Sequence, residues 1–157
     1  MDVGTGSVDS TGGLIWAKAS SILNSAYHPW NLTDNASGTF FITLSQSNSW
    51  MWLSTGVFEF RPTHVALRQR SDAATQLYGN CTIAVSVDGS SWTDVGSITS
   101  PTQTTGAWNV ASLTTDQWWQ YIRATQTSQT NTADNYFCVG EFEFFGEMRM
   151  REILWTP

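Results

Sequence analysis

The chain has 157 residues with a formal charge of −6, a single lysine (Lys18), 41% apolar and 13% aromatic content. That length suits one domain with a sizeable core. An acidic chain with no basic stripe excludes duplex nucleic acid and anionic bilayers as electrostatic partners, and no run approaches the roughly eighteen apolar residues of a transmembrane segment.

Taken in order, the Gly/Ser-rich residues 1–12 read as a flexible lead-in, and MDVGTGSVDSTGG lacks the basic and apolar regions of a signal peptide. Trp16 to Leu23 offers one short helix ahead of Tyr27-His28-Pro29. From there the apolar period is two, not 3.6. FFITLSQ (40–46), WMWLS (50–54), VFEF (57–60), THVALRQR (63–70), CTIAVSV (81–87), WQYIRATQ (119–126) and YFCVGEFEFF (136–145) alternate or are β-rich, and polar turns separate them. Residues 13–146 therefore predict one all-β sandwich or barrel, and 147–157 an extension or an added edge strand. Alternation places Val85, Val87, Phe142 and Phe144 in one core and Ser86 and Glu143 outside it.

The hairpin signal is sharpest in VSVDGSSWTDVG (85–96): Asp88-Gly89 after an alternating strand supplies a tight turn, and Trp92 folds back on the returning strand. One aspartate without neighbouring carboxylates is not a calcium loop, and no metal or cofactor motif occurs elsewhere. Cys81 shares the inward parity of Ile83 and Val85 whereas Cys138 faces the other way, so both are expected as free thiols. Sequons at Asn31, Asn35 and Asn80 are no more than the abundance of Ser and Thr would produce by chance.

These segments together resemble the discoidin, or coagulation factor type C, group of galactose-binding-like jelly rolls. The carriers are SVDGSSW at the turn, SWMWLSTGVFEFRPTHVALRQR upstream, and WWQYIRATQTSQTNTADNYFCVGEFEFFG downstream with its closing FEFFG. GLIW, LYGN and TGAWNV are similar to the variant in HECT-type ubiquitin ligases, BTB proteins and muskelin-like proteins. Two departures stand out: the acidic residue usual in the Trp-strand is replaced around Ser54, and the terminal cysteine pair of secreted members is absent. The resemblance implies a jelly-roll β-sandwich that binds through loops at one end, with the Asp-Gly corner at the other, in an intracellular setting, a secreted one being the alternative.

Enzyme chemistry finds little support. His28 and His64 lie in no nucleophile motif. Glu141 and Glu143 share one strand face at glycosidase-like spacing, but alternation alone explains them as a solvated outer face. Trp50 with Trp52 and Trp118 with Trp119 read as core and edge packing before sugar stacking, and His64 reads as structural.

The loops carry the binding expectation. The resemblance gathers Tyr27–Ser37, Ser45–Ser49, Arg70–Tyr78 and Gln126–Asn135 at one end. Trp30 and Tyr78 are expected to stack on a ligand or anchor a partner, Arg68 and Arg70 to pair with an acidic group, with Arg70 removable at little cost to stability, and Asp34, Asp72 and Asp134 to accept hydroxyl hydrogen bonds. The reading is a non-catalytic binding module without metal or cofactor. Its partner is expected to be a protein recruited within a larger intracellular chain, with a secreted glycan binder as the alternative and a two-carboxylate glycosidase third.

Overall fold

A computed structural model describes residues 3–6, 15–128 and 135–151, the first four as backbone only. In chain order the elements are β1 (Val3–Gly6), β2 (Trp16–Ala19), a 3-10 turn (Pro29–Leu32), β3 (Phe41–Ile42), β4 (Trp50–Ser54), β5 (Phe58–Arg68), β6 (Cys81–Ser86), β7 (Thr93–Ile98), β8 (Trp108–Ser112), β9 (Tyr121–Gln126), β10 (Cys138–Val139) and β11 (Glu141–Met150). The strands form a six-stranded sheet, β1-β2-β4-β9-β6-β7, a three-stranded sheet, β11-β5-β8, and the pair β10-β3. All pairings are antiparallel. Among the described residues no helix is long and apolar enough to cross a membrane.

Period-two patterning builds the sandwich. Met51, Leu53, Ile83, Val85, Ile122 and Ala124 of the larger sheet meet Phe60, Val65, Leu67 and Phe142 of the smaller one in a single buried cluster. Each large apolar side chain so buried contributes about 1.5–3 kcal/mol relative to exposure. Cys81 belongs to this cluster and Cys138 to a smaller one with Phe40 and Ile42, and both thiols are free and buried.

Several sequence expectations are corrected. Trp16–Ala19 is a strand, not a helix, because Ala17 and Ala19 both face the core while Trp16 is exposed. Within the expected lead-in, β1 pairs with β2. VFEF and THVALRQR are one strand that runs through Pro62. Pro62 stands opposite Gly146 where the β11 register shifts, so the missing proline N–H coincides with a bulge. A Cβ at Gly146 would collide with the Arg61 carbonyl.

Val87 is also exposed rather than core, since β6 ends at Ser86. Ser86 is buried yet satisfied: its hydroxyl accepts from the Asp88 and Gly89 amides and donates to Asp88 Oδ1. Asp88 Oδ1 also accepts from the Ser90 and Ser91 amides, and Gly89 takes φ +72°. Trp92 and Trp52 both stand edge-on to Tyr121, at 6.4 and 5.2 Å, with the Arg123 guanidinium 4.2 Å from the Trp92 ring centroid. Trp119 donates to Thr115 Oγ1, and Trp118 carries Arg61 and Arg149 over its ring. β6 and β9 run between this aromatic corner and the opposite, loop-built end.

Candidate functional site

Irregular segments from both sheets are tied together at the end away from the Asp-Gly corner. The Ser71 hydroxyl donates to the Ser37 carbonyl, the Arg68 guanidinium to the Ala36 carbonyl at 3.0 Å, and the Gly106 amide to the Arg70 carbonyl at 2.9 Å. Asn135 N–H donates to Ser45 Oγ at 2.9 Å and Thr127 N–H to the Asn80 carbonyl at 2.8 Å. These bonds join the Tyr27–Ser37 loop to Arg70–Tyr78 and the Ser45–Ser49 loop to the described part of Gln126–Asn135.

One exposed feature there is aromatic. His28 is extended (φ −74°, ψ 150°) and Pro29 begins the 3-10 turn. This kink brings the His28 and Trp30 rings face to face, with centroids 3.5 Å apart and planes within 3°. Trp30 remains 42% exposed. Burial lowers the His28 pKa, which favours the neutral imidazole, so the pair forms a flat and uncharged surface. Sequence reasoning weighed His28 only against nucleophile motifs. The signal that could have found it is the spacing of two rings across a proline.

The remaining expected site residues mostly build this end. Asp34 accepts from Thr39 Oγ1 and from the Ala36 amide, which closes its own turn. Arg70 is only 7% exposed. Its Nε and Nη2 donate to the two Asp72 oxygens at 2.7 and 2.8 Å, its Nη1 donates to Gln76 Oε1 at 2.8 Å, and its guanidinium lies 4.3 Å from the Phe40 ring centroid. The hydrogen bonds from Arg70 hold Asp72 below the usual carboxylate range. The expectation that removing Arg70 costs little is therefore corrected, because the side chain is a buried brace.

Tyr78 is corrected as well, being 0% exposed and so without a ring face open to a ligand. Its hydroxyl donates to the Leu67 carbonyl at 2.7 Å and accepts from Asn109 Nδ2 at 2.8 Å. Asp134 lies outside the described residues. The sequon at Asn31 has no free amide, since its Nδ2 donates to the Ala26 and Phe40 carbonyls at 3.0 Å each.

Glu141, expected on a solvated face, is 2% exposed. It accepts from Arg68 Nη2 at 3.3 Å, and Arg68 also lies 5.8 Å from the Trp108 ring centroid. Burial raises the Glu141 pKa to about 7 against the pull of Arg68, with the Asp34 and Glu143 charges adding to the rise. Glu141 lines a largely apolar groove of about 330 Å³ beside Leu32, Thr33, Asn35, Phe142 and Phe144. Glu141 is thus buried in an ion pair with Arg68 while Glu143 is exposed. His64 is exposed beside Thr63 Oγ1. Among the described residues no three His, Cys, Asp or Glu side chains are grouped to hold a metal.

Neither a family model nor a curated protein matches the sequence. Solved structures do match the fold. The CBM32-3 module of a family 31 glycoside hydrolase from Clostridium perfringens superposes with a TM-score of 0.71 at 18% identity, over 85% of this chain and 91% of that one. The family 32 carbohydrate-binding module of C. perfringens NanJ, solved with galactose, gives 0.70 at 12% identity over 94% and 100%. Chitosan-binding module 2 of a chitosanase/glucanase from Paenibacillus sp. IK-5, solved with chitotriose, gives 0.65 at 26% identity over 83% and 95%. The fold is thus a discoidin-like, galactose-binding-like β-sandwich.

Proposed function

We propose that this discoidin-like sandwich is a non-catalytic carbohydrate-binding module whose glycan lies on the His28–Trp30 ring pair. The single observation that carries the reading is the parallel 3.5 Å stack with Trp30 42% exposed. A ring held flat by a second ring loses little freedom on binding, and its face matches the C–H face of a pyranose. Asp34, Arg68, Arg70 and Asp72 serve by fixing the loops around it. Sugar-bound relatives of this fold support the glycan alternative over the intracellular recruiting module. With a glycan as ligand, the secreted setting is the favoured one.

The test is a glycan array followed by calorimetry on the best hit. Trp30→Ala is expected to weaken binding about tenfold, or about 1.4 kcal/mol, with an unchanged thermal midpoint. Undiminished affinity in the folded variant, or an array without any hit, overturns the proposal.

A further inference from the structure

Between the two sheets lies a second opening that the loop-end reading does not use. β7 closes one side of the six-stranded sheet and β8 one side of the three-stranded sheet; among the described residues each pairs on one flank only, with β6 and β5 respectively. The two edges meet at one end, where Thr114 N–H donates to the Val95 carbonyl at 2.8 Å. Contact there is tight: a Cβ on Gly96 would come within 2.7 Å of a Leu113 methyl and 3.0 Å of the Ser112 carbonyl oxygen. Toward the loop end the edges diverge and leave a groove of about 390 Å³, within the range of small-molecule sites.

Ser97, Thr99, Thr102, Trp108, Asn109 and Ser112 are among its walls, and no charged side chain lines it. Asn109 Oδ1 accepts from the Thr102 amide at 2.6 Å, which fixes the Pro101 turn against β8. Trp108 stands at the wide end, 42% exposed.

We propose that this lateral groove is a second glycan subsite, an inference that rests on the carbohydrate reading of the loop end. Its chemistry selects a neutral, hydroxyl-rich ligand: hydroxyl side chains and unpaired strand-edge amides and carbonyls exchange hydrogen bonds with sugar hydroxyls, and Trp108 supplies a ring for stacking. The lining carries no charge, and the Arg68 guanidinium, 5.8 Å from the Trp108 ring centroid, is paired with Glu141, so a neutral ligand is favoured. Closure at Gly96 and Leu113 limits how far an extended peptide can add along either edge.

The test is an amide and indole NMR titration of the ¹⁵N-labelled full chain with chitotriose, with lactose and with an oligo(Ser-Thr) peptide. Saturable shifts are expected at the Trp108 indole and the Thr99, Thr102 and Ser112 amides with at least one sugar, and they should persist in Trp30→Ala. Val110→Glu, at an exposed groove position, and Trp108→Ala should each weaken the Thr99 and Thr102 response at least tenfold while the Trp30 indole still responds. If Trp30 shifts while the groove stays silent with both sugars, the lateral site falls and the loop-end reading stands. Silence at both places overturns both, and groove shifts with the peptide alone replace the glycan by a strand-adding partner.

Discussion

The two ends of the sandwich use the same residue types to opposite effect. At the corner, Asp88 spends one carboxylate oxygen on three hydrogen bonds inside its own turn, and Trp52, Trp92, Tyr121 and Arg123 close on one another. At the loop end, Asp34 and Asp72 are likewise committed to nearby partners, yet Trp30, stacked on His28, stays 42% exposed. A turn aspartate therefore identifies neither end as a site. What distinguishes the described parts of the two ends is ring geometry, His28 and Trp30 stacking in parallel at one and Trp52 and Trp92 standing edge-on to Tyr121 at the other.

The largest effect expected from breaking the loop end comes from its brace. Arg70→Ala removes a buried guanidinium that holds Asp72, Gln76 and the face of Phe40, and should cost about 2–3 kcal/mol of stability. Arg70→Lys should recover only part of it, because an ammonium cannot reproduce the two parallel bonds to one carboxylate. Urea unfolding of both variants checks this. Equal stability in Arg70→Ala would return the residue to the role of an exposed ligand contact.

That reversal shows where the sequence was legible. Strands with clean alternation, such as β4, β6 and β9, could be read within two residues, since one buried face dictates the period. β2 could not, because four residues of Trp-Ala-Lys-Ala fit a helix or a strand until sheet neighbours appear. β5 was split at Pro62, as its bulge partner Gly146 is more than eighty positions away. Trp30 was legible as a loop aromatic. The burial of Arg70, Tyr78 and Glu141 was not, because it arises from Phe40, Asn109 and Arg68 meeting them across the fold.

Glu141 gives the next effect, and it depends on pH. Its folded pKa of about 7 lies above the ordinary carboxylate value, so the folded chain holds a proton that the unfolded chain has released. The resulting stabilisation is fully present below about pH 4.5 and is lost as pH rises through about 7. Arg68 opposes the shift, while Asp34 and Glu143 reinforce it. Glu141→Gln should flatten the pH dependence of stability between pH 5 and 7.5, by on the order of 1–2 kcal/mol after allowance for Arg68. Parallel urea titrations at the two pH values decide it, and identical slopes for wild type and variant would mean that Glu141 stays ionised throughout.

The smallest effect should come from the corner itself, and it sharpens the comparison most. Asp88→Ala leaves the Ser90 and Ser91 amides and the Ser86 hydroxyl to find water, which an exposed turn permits, so the thermal midpoint should fall by less than in Arg70→Ala. Gly89 stays in its positive-φ conformation, 3.3 Å from the Tyr121 ring as a Cβ would measure it, so the turn keeps its shape without the carboxylate. Since β6 and β9 separate this corner from the loop end, affinity for any glycan that Trp30 recognises should be unchanged. Differential scanning calorimetry and glycan titration on one preparation read both quantities. A folded Asp88→Ala that no longer binds, beside a Trp30→Ala that does, would move the site to the corner and reverse the assignment of the two ends.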